Sequence, residues 1–279
     1  MILIADSGST KTNWALVEKG KEELRLQTEG INPFYRNIED IGDELEKELM
    51  PNISEKVSAI KFYGAGIINS AKGAGLKKLL HDLFPEAEVE ANSDLLAAAR
   101  STLGLKPGIA CILGTGSNSC YYDGVKIVDH VSPLGYILGD EGSGAVMGRK
   151  LLGDFLKKVM PENLRKKFKD QYGLTGSVIL ENVYRKQRPN LFLASFTRFI
   201  HQNLEDEYFQ KFLKTEFESF ADRNLMNYKK IHSSPVTFVG SVAFYFQEIL
   251  KEVLTERKVK CGEIVQDPMD GLILYHSSL

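Results

Sequence analysis

The chain has 279 residues, 43% of them hydrophobic, and a formal net charge of −2 at pH 7. Because this charge is close to zero, the composition indicates no general attraction to nucleic acid or to an acidic membrane surface. Three cysteines without close pairing argue against a disulfide framework. No apolar run approaches the roughly 20 residues of a membrane span, and the apolar start lacks the basic residues of a signal peptide. We therefore expect a globular, cytoplasmic protein of about two domains.

The first hundred residues alternate strand and helix signals, as α/β proteins do. Apolar runs bounded by turn residues predict strands at Ile2–Ala5, Asn13–Val17, Leu24–Thr28 and Val57–Tyr63, and a short strand that ends at Val89. Apolar residues at helical spacing predict helices at Ile38–Leu49, Leu76–Phe84 and Asp94–Leu103. The stretch 104–108, which contains glycine and proline, is a candidate domain boundary.

The second half of the chain starts in the same way as the first. A predicted strand at Ile109–Leu113 enters a loop of glycine and hydroxyl residues. A strand to Tyr122, a turn at Asp123 and Gly124, and a strand at Val125–His130 follow. The series strand, loop, strand, turn, strand therefore occurs twice, and the two copies start about a hundred residues apart. Since identity between the copies is low, the likeness is one of architecture.

Residues 142–231 carry mostly helical signals, with predicted helices at Met147–Val159, Ser177–Tyr184, Phe192–Leu204 and Tyr208–Tyr228. A buried strand at Val236–Val239, a turn and a helix at Val242–Leu254 follow. We expect an α/β fold in two lobes, with domains at 1–105 and 106–279, a mostly helical insertion in the second lobe, and the last residues packed back on the N-terminal lobe.

The strand that opens the chain is followed by the sequence Asp-Ser-Gly-Ser-Thr-Lys-Thr. Gly8, Ser9 and Thr10 would offer a phosphate backbone N–H groups, close approach and hydroxyl donors. Asp6 would hold Mg²⁺, which prefers hard oxygen ligands, and Lys11 would add positive charge. The alternative is an ordinary β-turn that is capped by its own polar side chains. Neither the Walker spacing nor the dinucleotide glycine pattern is present.

A second loop of the same composition contains Gly114, Thr115, Gly116 and Ser117, again at the end of a predicted strand. One such loop is a weak signal for phosphate binding. Two, in equivalent positions of two similar halves, indicate a clamp that holds a polyphosphate from both lobes. The alternative is a pair of unrelated hairpins.

A third junction follows the predicted strand Val236–Val239. Gly240 would let an adenine or a ribose lie against the backbone, and Ser241 would cap the helix that follows. An ordinary strand-to-helix turn has the same composition, so this junction alone leaves both interpretations open.

Three polar residues are candidates for the acceptor side of a phosphoryl transfer. Asp94 stands at the start of a predicted helix, where it would either cap the helix or act as the base that orients an acceptor hydroxyl. Asp140 lies in a glycine-rich acidic loop and would bind sugar hydroxyls or cap the next helix. Asn32 would bind a polar ligand through its amide or make a turn before Pro33.

These elements, in this order, resemble the sugar-kinase and ATPase branch of the actin, hexokinase and heat-shock chaperone superfamily. Within it the chain looks most like the N-acetylglucosamine kinase family, which belongs with the ATPases related to benzoyl-CoA reductase activators. The resemblance covers nearly the whole chain. It rests on a first phosphate motif, a second phosphate motif, an adenosine motif, a sugar loop and a terminal sequence typical of the group, at Asp6–Thr12, Leu113–Asn118, Val239–Ser241, Gly139–Ser143 and Asp267–Leu272.

The resemblance implies a two-lobed actin-like ATPase fold, related to ribonuclease H, with ATP and Mg²⁺ bound between closing lobes. It also implies phosphoryl transfer to a hydroxyl of an amino sugar, with O6 as the expected position. Asp94 would be the base, and the sugar would be lined by Asn32, Asp140, Thr115 and Gly135.

One departure from the family concerns the segment ahead of the acidic loop. The family carries Gly-Trp-Gly there, and its aromatic ring packs near the sugar, whereas this chain has Ser-Pro-Leu-Gly at positions 132–135. Leu134 cannot stack in the same way. The acceptor is therefore left open between N-acetylglucosamine and the related N-acetylmuramic acid, and a homodimer is left open as well.

Two alternatives keep the fold but change the function. An ATPase activator of the related type needs thiolate ligands for an iron–sulfur cluster. Cys111 and Cys120 fall in predicted strands and Cys261 is remote in sequence, a pattern that favours core thiols. A non-catalytic sugar sensor has no need of the base, and the presence of Asp94 favours the kinase.

Overall fold

The computed structural model describes residues 1–8, 10–32, 36–67 and 70–278, with the backbone alone at 70–72. Two compact units make up the chain. The first contains Met1–Lys106, Asp123–Ile127 and Asp267–Leu279, and the second contains Pro107–Tyr122 and Val128–Gln266. The division of the sequence at residue 105 stays a prediction.

The N-terminal part of the chain folds into strands β1 (Ile2–Ser7), β2 (Lys11–Glu18), β3 (Lys21–Glu29), β4 (Ala59–Gly64) and β5 (Glu88–Ser93). The helices of this part are α1 (Ile38–Glu48), α2 (Ser70–Leu83) and α3 (Asp94–Leu103), with a short 3₁₀ turn at Met50–Asn52. The five strands form one sheet in the order β3-β2-β1-β4-β5. β1 is antiparallel to β2 and parallel to β4, so it lies at the centre of the sheet.

The second unit repeats this plan with a longer helical part. Its strands are β6 (Gly108–Leu113), β7 (Ser117–Tyr122), β8 (Ile127–Val131), β9 (Val236–Val239) and β10 (Cys261–Val265). Its helices are α4 (Gly135–Leu138), α5 (Gly144–Leu156), α6 (Glu162–Tyr172), α7 (Gly176–Tyr184), α8 (Pro189–Ala194), α9 (Thr197–Gln202), α10 (Glu207–Arg223), α11 (Ser241–Tyr245) and α12 (Gln247–Glu256), and a 3₁₀ turn lies at Leu225–Asn227. The sheet order β10-β9-β6-β7-β8 is that of the first unit when it is listed from the other edge.

The last helix, α13 (Met269–Ser277), belongs to the first unit and packs on α3. Residues of β1 alternate between two apolar clusters, because a central strand is covered on both faces. Leu3 and Ala5 belong to the cluster that includes α1 and α2, whereas Ile4 belongs to the cluster that includes α3 and α13. The face of the sheet under α3 and α13 is also the face of Asp6, since side chains alternate along a strand.

Several predicted elements are wrong in their extent. The single helix expected at Phe192–Leu204 is two helices, α8 and α9, and side-chain hydroxyls compete for backbone carbonyls at the break: Ser195 Oγ donates to the Phe192 oxygen at 2.7 Å and Thr197 Oγ1 to the Ala194 oxygen at 2.8 Å. The helix expected at Val242–Leu254 is likewise divided, at Phe246.

Other segments were missed or cut short. The strand expected to end at Val89 continues to Ser93; this extension was missed because Glu90, Asn92 and Ser93 are polar and do not extend the apolar run. The elements α6, β10 and α13 were not predicted, although a terminal motif was noted at the start of α13. In the described part of the chain, no helix has the length and apolar character needed to cross a membrane.

The close contact between α3 and α13 predicts that one methyl group added at their interface lowers stability. A Cβ added at Gly271 would lie 2.2 Å from the backbone oxygen of Ser101, so Gly271→Ala must force the two helices apart. We expect it to lower the free energy of unfolding by roughly 1–3 kcal/mol in urea titrations.

The matched control is Gly75→Ala in α2, since an added Cβ there has no heavy atom within 4 Å. Alanine favours a helix over glycine by up to about 1 kcal/mol, so this variant is expected to be neutral or stabilised. Equal urea midpoints for the two variants would contradict the close packing of α13 on α3.

Candidate active site

A row of polar residues crosses the whole sheet of the first unit at the end of β1. Gln27, Asn13, Asp6, Tyr63 and Asn92 are successive register partners on its five strands. Register partners share a face of the sheet, so all five side chains lie on the face of α3 and α13. Asp6, on the central strand, is at the centre of this polar row.

The Asp6 carboxyl group lies in an unfavourable environment for its charge. Burial raises its pKa to about 8, and the charges of Asp267 and Asp94 contribute in the same direction, while Lys11 acts against them. Three carboxylates therefore lie within electrostatic range of one another in this unit. Any cation bound among them would relieve the repulsion.

The opening loop uses part of its polar content for its own structure. The hydroxyls of Ser7 and Thr12 are buried and lie 2.8 Å apart, and both accept from the backbone N–H of Ile31, at 2.9 and 3.2 Å. The Gly8 N–H donates to the Lys11 carbonyl at 3.0 Å and closes the turn.

The remaining predicted loop residues divide into three groups. Thr10 and Lys11 are exposed at the turn, where their side chains are accessible to a ligand. Ser9 lies outside the described residues. Asn32 is buried at 6% exposure directly after Ile31, so the Ser7 and Thr12 hydroxyls bring it to the base of the loop.

Asp94 begins α3 immediately after β5. Ser93 caps the helix by accepting the Leu96 N–H at 3.3 Å, and the Asp94 Oδ1 accepts the N–H of Leu95 at 2.8 Å. Burial raises the pKa of Asp94, and the backbone hydrogen bond acts against the shift. The carboxylate is therefore fixed in orientation and is a stronger base than an exposed aspartate.

In the second unit the loop Gly114–Gly116 is fastened to the first turn of α5. The N–H groups of Gly144 and Ala145 donate to the carbonyls of Gly114 and Thr115, at 2.8 and 3.0 Å. Ser143 Oγ accepts the next N–H, that of Val146. The first backbone N–H groups of α5 thus bind the carbonyl oxygens of the Gly114–Gly116 loop.

The predicted adenosine junction lies against this loop. Gly240 has φ +123°, and a Cβ there would lie 2.4 Å from the Leu113 carbonyl oxygen and 3.3 Å from the Gly114 nitrogen. Only glycine allows the two backbones to approach so closely. Two segments separated by more than a hundred residues in the sequence are thereby joined at one place.

A cavity of about 440 Å³ opens beside Ser241, and it is lined by residues of α9 and by the segment after Gly240: Thr197, Arg198, His201, Ser241, Val242, Tyr245 and Phe246. The rings of His201 and Tyr245 meet edge to face at 5.2 Å between centroids. Apart from Ser241, sequence reasoning missed this lining. Tyr245 lies one helical turn after Ser241, and this spacing could have predicted that both line the same cavity. The residues of α9 are distant in sequence and reach the cavity only in the folded protein.

Asp140 lies beside the second glycine loop within the same unit. Its backbone has φ +53°, and its N–H donates to the Pro133 carbonyl at 2.8 Å. A Cβ at Gly116 would lie 3.3 Å from Asp140 Oδ2. Burial raises the pKa of Asp140 to about 6, an effect that the Ser117 N–H opposes and the Glu141 charge enhances.

The segment ahead of Asp140 is a tight turn with an apolar exterior. Leu134 has φ +62° and is 61% exposed, and Gly135 has φ +75°. Arg149 Nη1 fixes the short helix α4 by donating to the Tyr136 carbonyl at 2.7 Å. Leu134 therefore presents an aliphatic side chain to solvent.

The structure brings the predicted residues together in two groups, one in each unit. Asp6, Gly8, Thr10, Lys11, Asn32 and Asp94 form the first group, and Gly114, Thr115, Gly116, Ser117, Gly135, Asp140, Gly240 and Ser241 belong to the second unit. Sequence reasoning missed Asn13 and Asp267 as neighbours of Asp6. Among the described residues, no group of three or more His, Cys, Asp or Glu side chains is arranged to hold a metal ion.

Two mixed five-stranded sheets of the same strand order, each followed by glycine loops at the ends of its central strands, define an α/β fold of the actin-like ATPase kind. The expected fold class is thereby confirmed. Over its full length the chain is similar to a putative N-acetylglucosamine kinase from Porphyromonas gingivalis. The identity is 47%, the alignment covers 100% of this chain and 99% of that chain, and the TM-score is 0.96. The chain belongs to this family of N-acetylglucosamine kinase-like proteins.

More distant solved structures share the fold alone. A putative N-acetylglucosamine kinase from Chromobacterium violaceum is 17% identical, with 98% of each chain covered and a TM-score of 0.74. A ROK family glucokinase from Streptomyces griseus, in complex with glucose and AMPPNP, is 13% identical, with 98% of this chain and 97% of that chain covered and a TM-score of 0.58. No protein-family model matches the chain, and neither does any curated protein.

The raised pKa of Asp140 predicts a pH dependence of stability. The folded state holds the Asp140 proton up to about pH 6, whereas the unfolded chain releases it near pH 4, so wild-type stability falls as pH rises through this window. Asp140→Asn removes this loss. Allowing for the partial exposure of the group, we expect the variant to gain about 1–2 kcal/mol relative to wild type between pH 4 and pH 7 in urea titrations.

Asp123→Asn is a control for which the opposite pH dependence of stability is expected. The N–H groups of Lys126 and Val125 lower the pKa of Asp123, so its replacement is expected to reduce relative stability as pH rises. A difference between Asp140→Asn and wild type that stays constant from pH 4 to pH 7 would refute the environment described for Asp140.

Proposed function

We propose that this chain is an ATP-dependent kinase that phosphorylates an amino sugar, N-acetylglucosamine at O6 or the related N-acetylmuramic acid. The observation that carries the proposal is the 47% identity with the Porphyromonas gingivalis protein over the full length of both chains. Within the family we further propose the branch of the ATPases related to benzoyl-CoA reductase activators, and a cytoplasmic location.

The second unit supplies the groups that we assign to the nucleotide. The cavity beside Ser241 has the size of a small-ligand pocket, and its aromatic and basic lining suits an adenosine. Gly240 lets this junction lie against the second glycine loop, so base and phosphates would be held by adjoining segments. In the first unit, Gly8, Ser9, Thr10 and Lys11 are the proposed phosphate contacts.

The residues around Asp6 fit a divalent cation that arrives with the nucleotide. Asp6 is a hard oxygen ligand, and burial, with a further contribution from the charges of Asp267 and Asp94, raises its pKa to about 8; a bound cation would offset the repulsion between these carboxylates. Mg²⁺, when bound, neutralises charge on the transferring phosphates. Asp6 is the residue that we propose to hold it, through coordinated water.

Asp94 is the proposed general base. It would orient the acceptor hydroxyl and accept its proton as the oxygen attacks the γ-phosphorus and ADP leaves. Its fixed orientation and raised pKa support this role. Asn32 in the first unit and Thr115, Gly135 and Asp140 in the second unit are the residues that we assign to the sugar.

The activator alternative receives less support from the cysteines. Cys111 and Cys120 are buried in β6 and β7, and burial raises the pKa of Cys111 well above its usual range, which disfavours the thiolate that a cluster needs. The side chains thus have the properties of core thiols.

A screen for ADP release over several sugars tests the proposal. Purified protein, ATP and Mg²⁺ are combined separately with N-acetylglucosamine, N-acetylmuramic acid, glucosamine, N-acetylmannosamine and glucose. We expect turnover with an N-acetylated sugar to exceed the sugar-free rate by at least about a hundredfold, since closure around the acceptor suppresses hydrolysis. Equal ADP release with and without every sugar would refute the kinase, and visible absorbance of an iron–sulfur cluster would favour the activator.

The role of Asp94 predicts the behaviour of one conservative variant. Asp94→Asn keeps the size of the side chain and an oxygen for the Leu95 N–H, but it cannot accept a proton at the acceptor hydroxyl. We expect kcat to fall by about 10²-fold or more, with the Kd for ATP unchanged. Steady-state kinetics and nucleotide titration with Trp14 fluorescence separate the two quantities, and near-normal kcat would remove Asp94 from this role.

A further inference from the structure

We propose that Asp267, at the start of the C-terminal helix, is a further residue of the metal–nucleotide site: its hydrogen bond with Asn13 holds it beside Asp6, where its charge increases the affinity for the nucleotide-bound cation. This inference rests on the proposed function. It adds to that function a residue that lies 261 positions away from Asp6 in the sequence.

The position of Asp267 follows from strand register. Asn13 is the direct partner of Asp6 across β1 and β2, and such partners have Cβ atoms about 4.5–5.5 Å apart on the same face of the sheet. The Nδ2 of Asn13 donates to Asp267 Oδ2 at 2.7 Å. The carboxylate is therefore bound to the immediate neighbour of Asp6, on the same side of the sheet.

The orientation of Asp267 is fixed by two further hydrogen bonds. Its Oδ1 accepts the N–H of Met269 at 2.8 Å, at the first residue of α13. Asn13 is itself held, since its Oδ1 accepts from Gln27 Nε2 at 2.9 Å. One carboxylate oxygen of Asp267 thus binds the backbone at the start of α13, and the other binds Asn13 in the polar row.

The electrostatics of the unit agree with this geometry. Asn13, the strand partner of Asp6, holds the Asp267 carboxylate next to Asp6, so the two charges act on each other at short range. Two like charges held side by side destabilise each other in the absence of a counter-ion, and the same pair attracts a divalent cation more strongly than one carboxylate does. A purely structural aspartate at the start of α13 would need its hydrogen bonds but not its charge.

Asp267→Asn separates charge from structure. Asparagine is nearly isosteric, keeps an oxygen for the Met269 N–H and removes one negative charge. Asp270→Asn is the matched control, because Asp270 lies three residues later, in the first turn of α13, its side chain is 83% exposed, and it binds Arg25 at the surface. Both variants change the net charge of the protein by the same amount.

The measurement is the binding of Mn²⁺ in the presence of saturating ADP, followed through the electron paramagnetic resonance signal of free Mn²⁺. We expect Asp267→Asn to weaken the Mn²⁺ affinity by at least about tenfold and Asp270→Asn to stay within about twofold of wild type. In kinetic assays the KM for Mg–ATP should rise in Asp267→Asn while the KM for the sugar stays the same.

Mn²⁺ affinity within twofold of wild type for Asp267→Asn, or an equal loss in both variants, would overturn the inference. If Asp267→Asn does not fold, as judged by circular dichroism and thermal melting, Asp267→Ser takes its place, since serine also accepts the N–H of a helix start. Wild-type protein that binds no Mn²⁺ with ADP and phosphorylates no sugar would instead refute the proposed function. Normal wild-type binding with unchanged variants would refute only the role of Asp267.

Discussion

The structure depends on a carboxylate placed at the centre of a sheet. Asp6 ends the apolar part of β1, with strands on both sides, and it is half-buried, so burial raises the pKa of its carboxyl group. A buried charge is costly unless it is paired. Among the described residues, Asp267 and Asp94 add negative charge near Asp6, and Lys11 acts against them. An arrangement of this kind is unfavourable for stability and favourable for binding a cation.

Much of the fold followed from local patterns. The repeated series of strand, loop, strand, turn, strand predicted that both halves share an architecture, and both sheets have the same strand order. Local patterns failed where side-chain hydrogen bonds or tertiary packing decide the structure. The segment around Phe196 has continuous helical spacing, yet Ser195 and Thr197 hydroxyls interrupt it. α13 is buried on most of its surface, so it lacked the polar stripe that marks a surface helix.

The candidate site shows a similar division. Composition identified the glycine loops and Asp94. It could not distinguish the side-chain hydroxyls that are available to a ligand from those that make hydrogen bonds within the protein. The hydroxyls of Ser7 and Thr12 have a structural role, because both accept a hydrogen bond from the Ile31 N–H and so position the next residue, Asn32. The cavity beside Ser241 depends on α9, and the neighbour of Asp6 depends on the return of the last helix. Such contacts join distant segments, and local sequence patterns do not identify the side chains that meet in them.

The return of α13 also bears on how the first unit forms. Ile4, Ala15, Val17 and Tyr63 share one apolar cluster with Met269, Leu272 and Ile273. During synthesis these residues of the first sheet emerge long before the helix that covers them, and the whole second unit is made in between. The nascent sheet therefore keeps one apolar face partly uncovered throughout that interval. Any chain interrupted before Asp267 would expose that face permanently, which makes such fragments candidates for aggregation or for capture by chaperones.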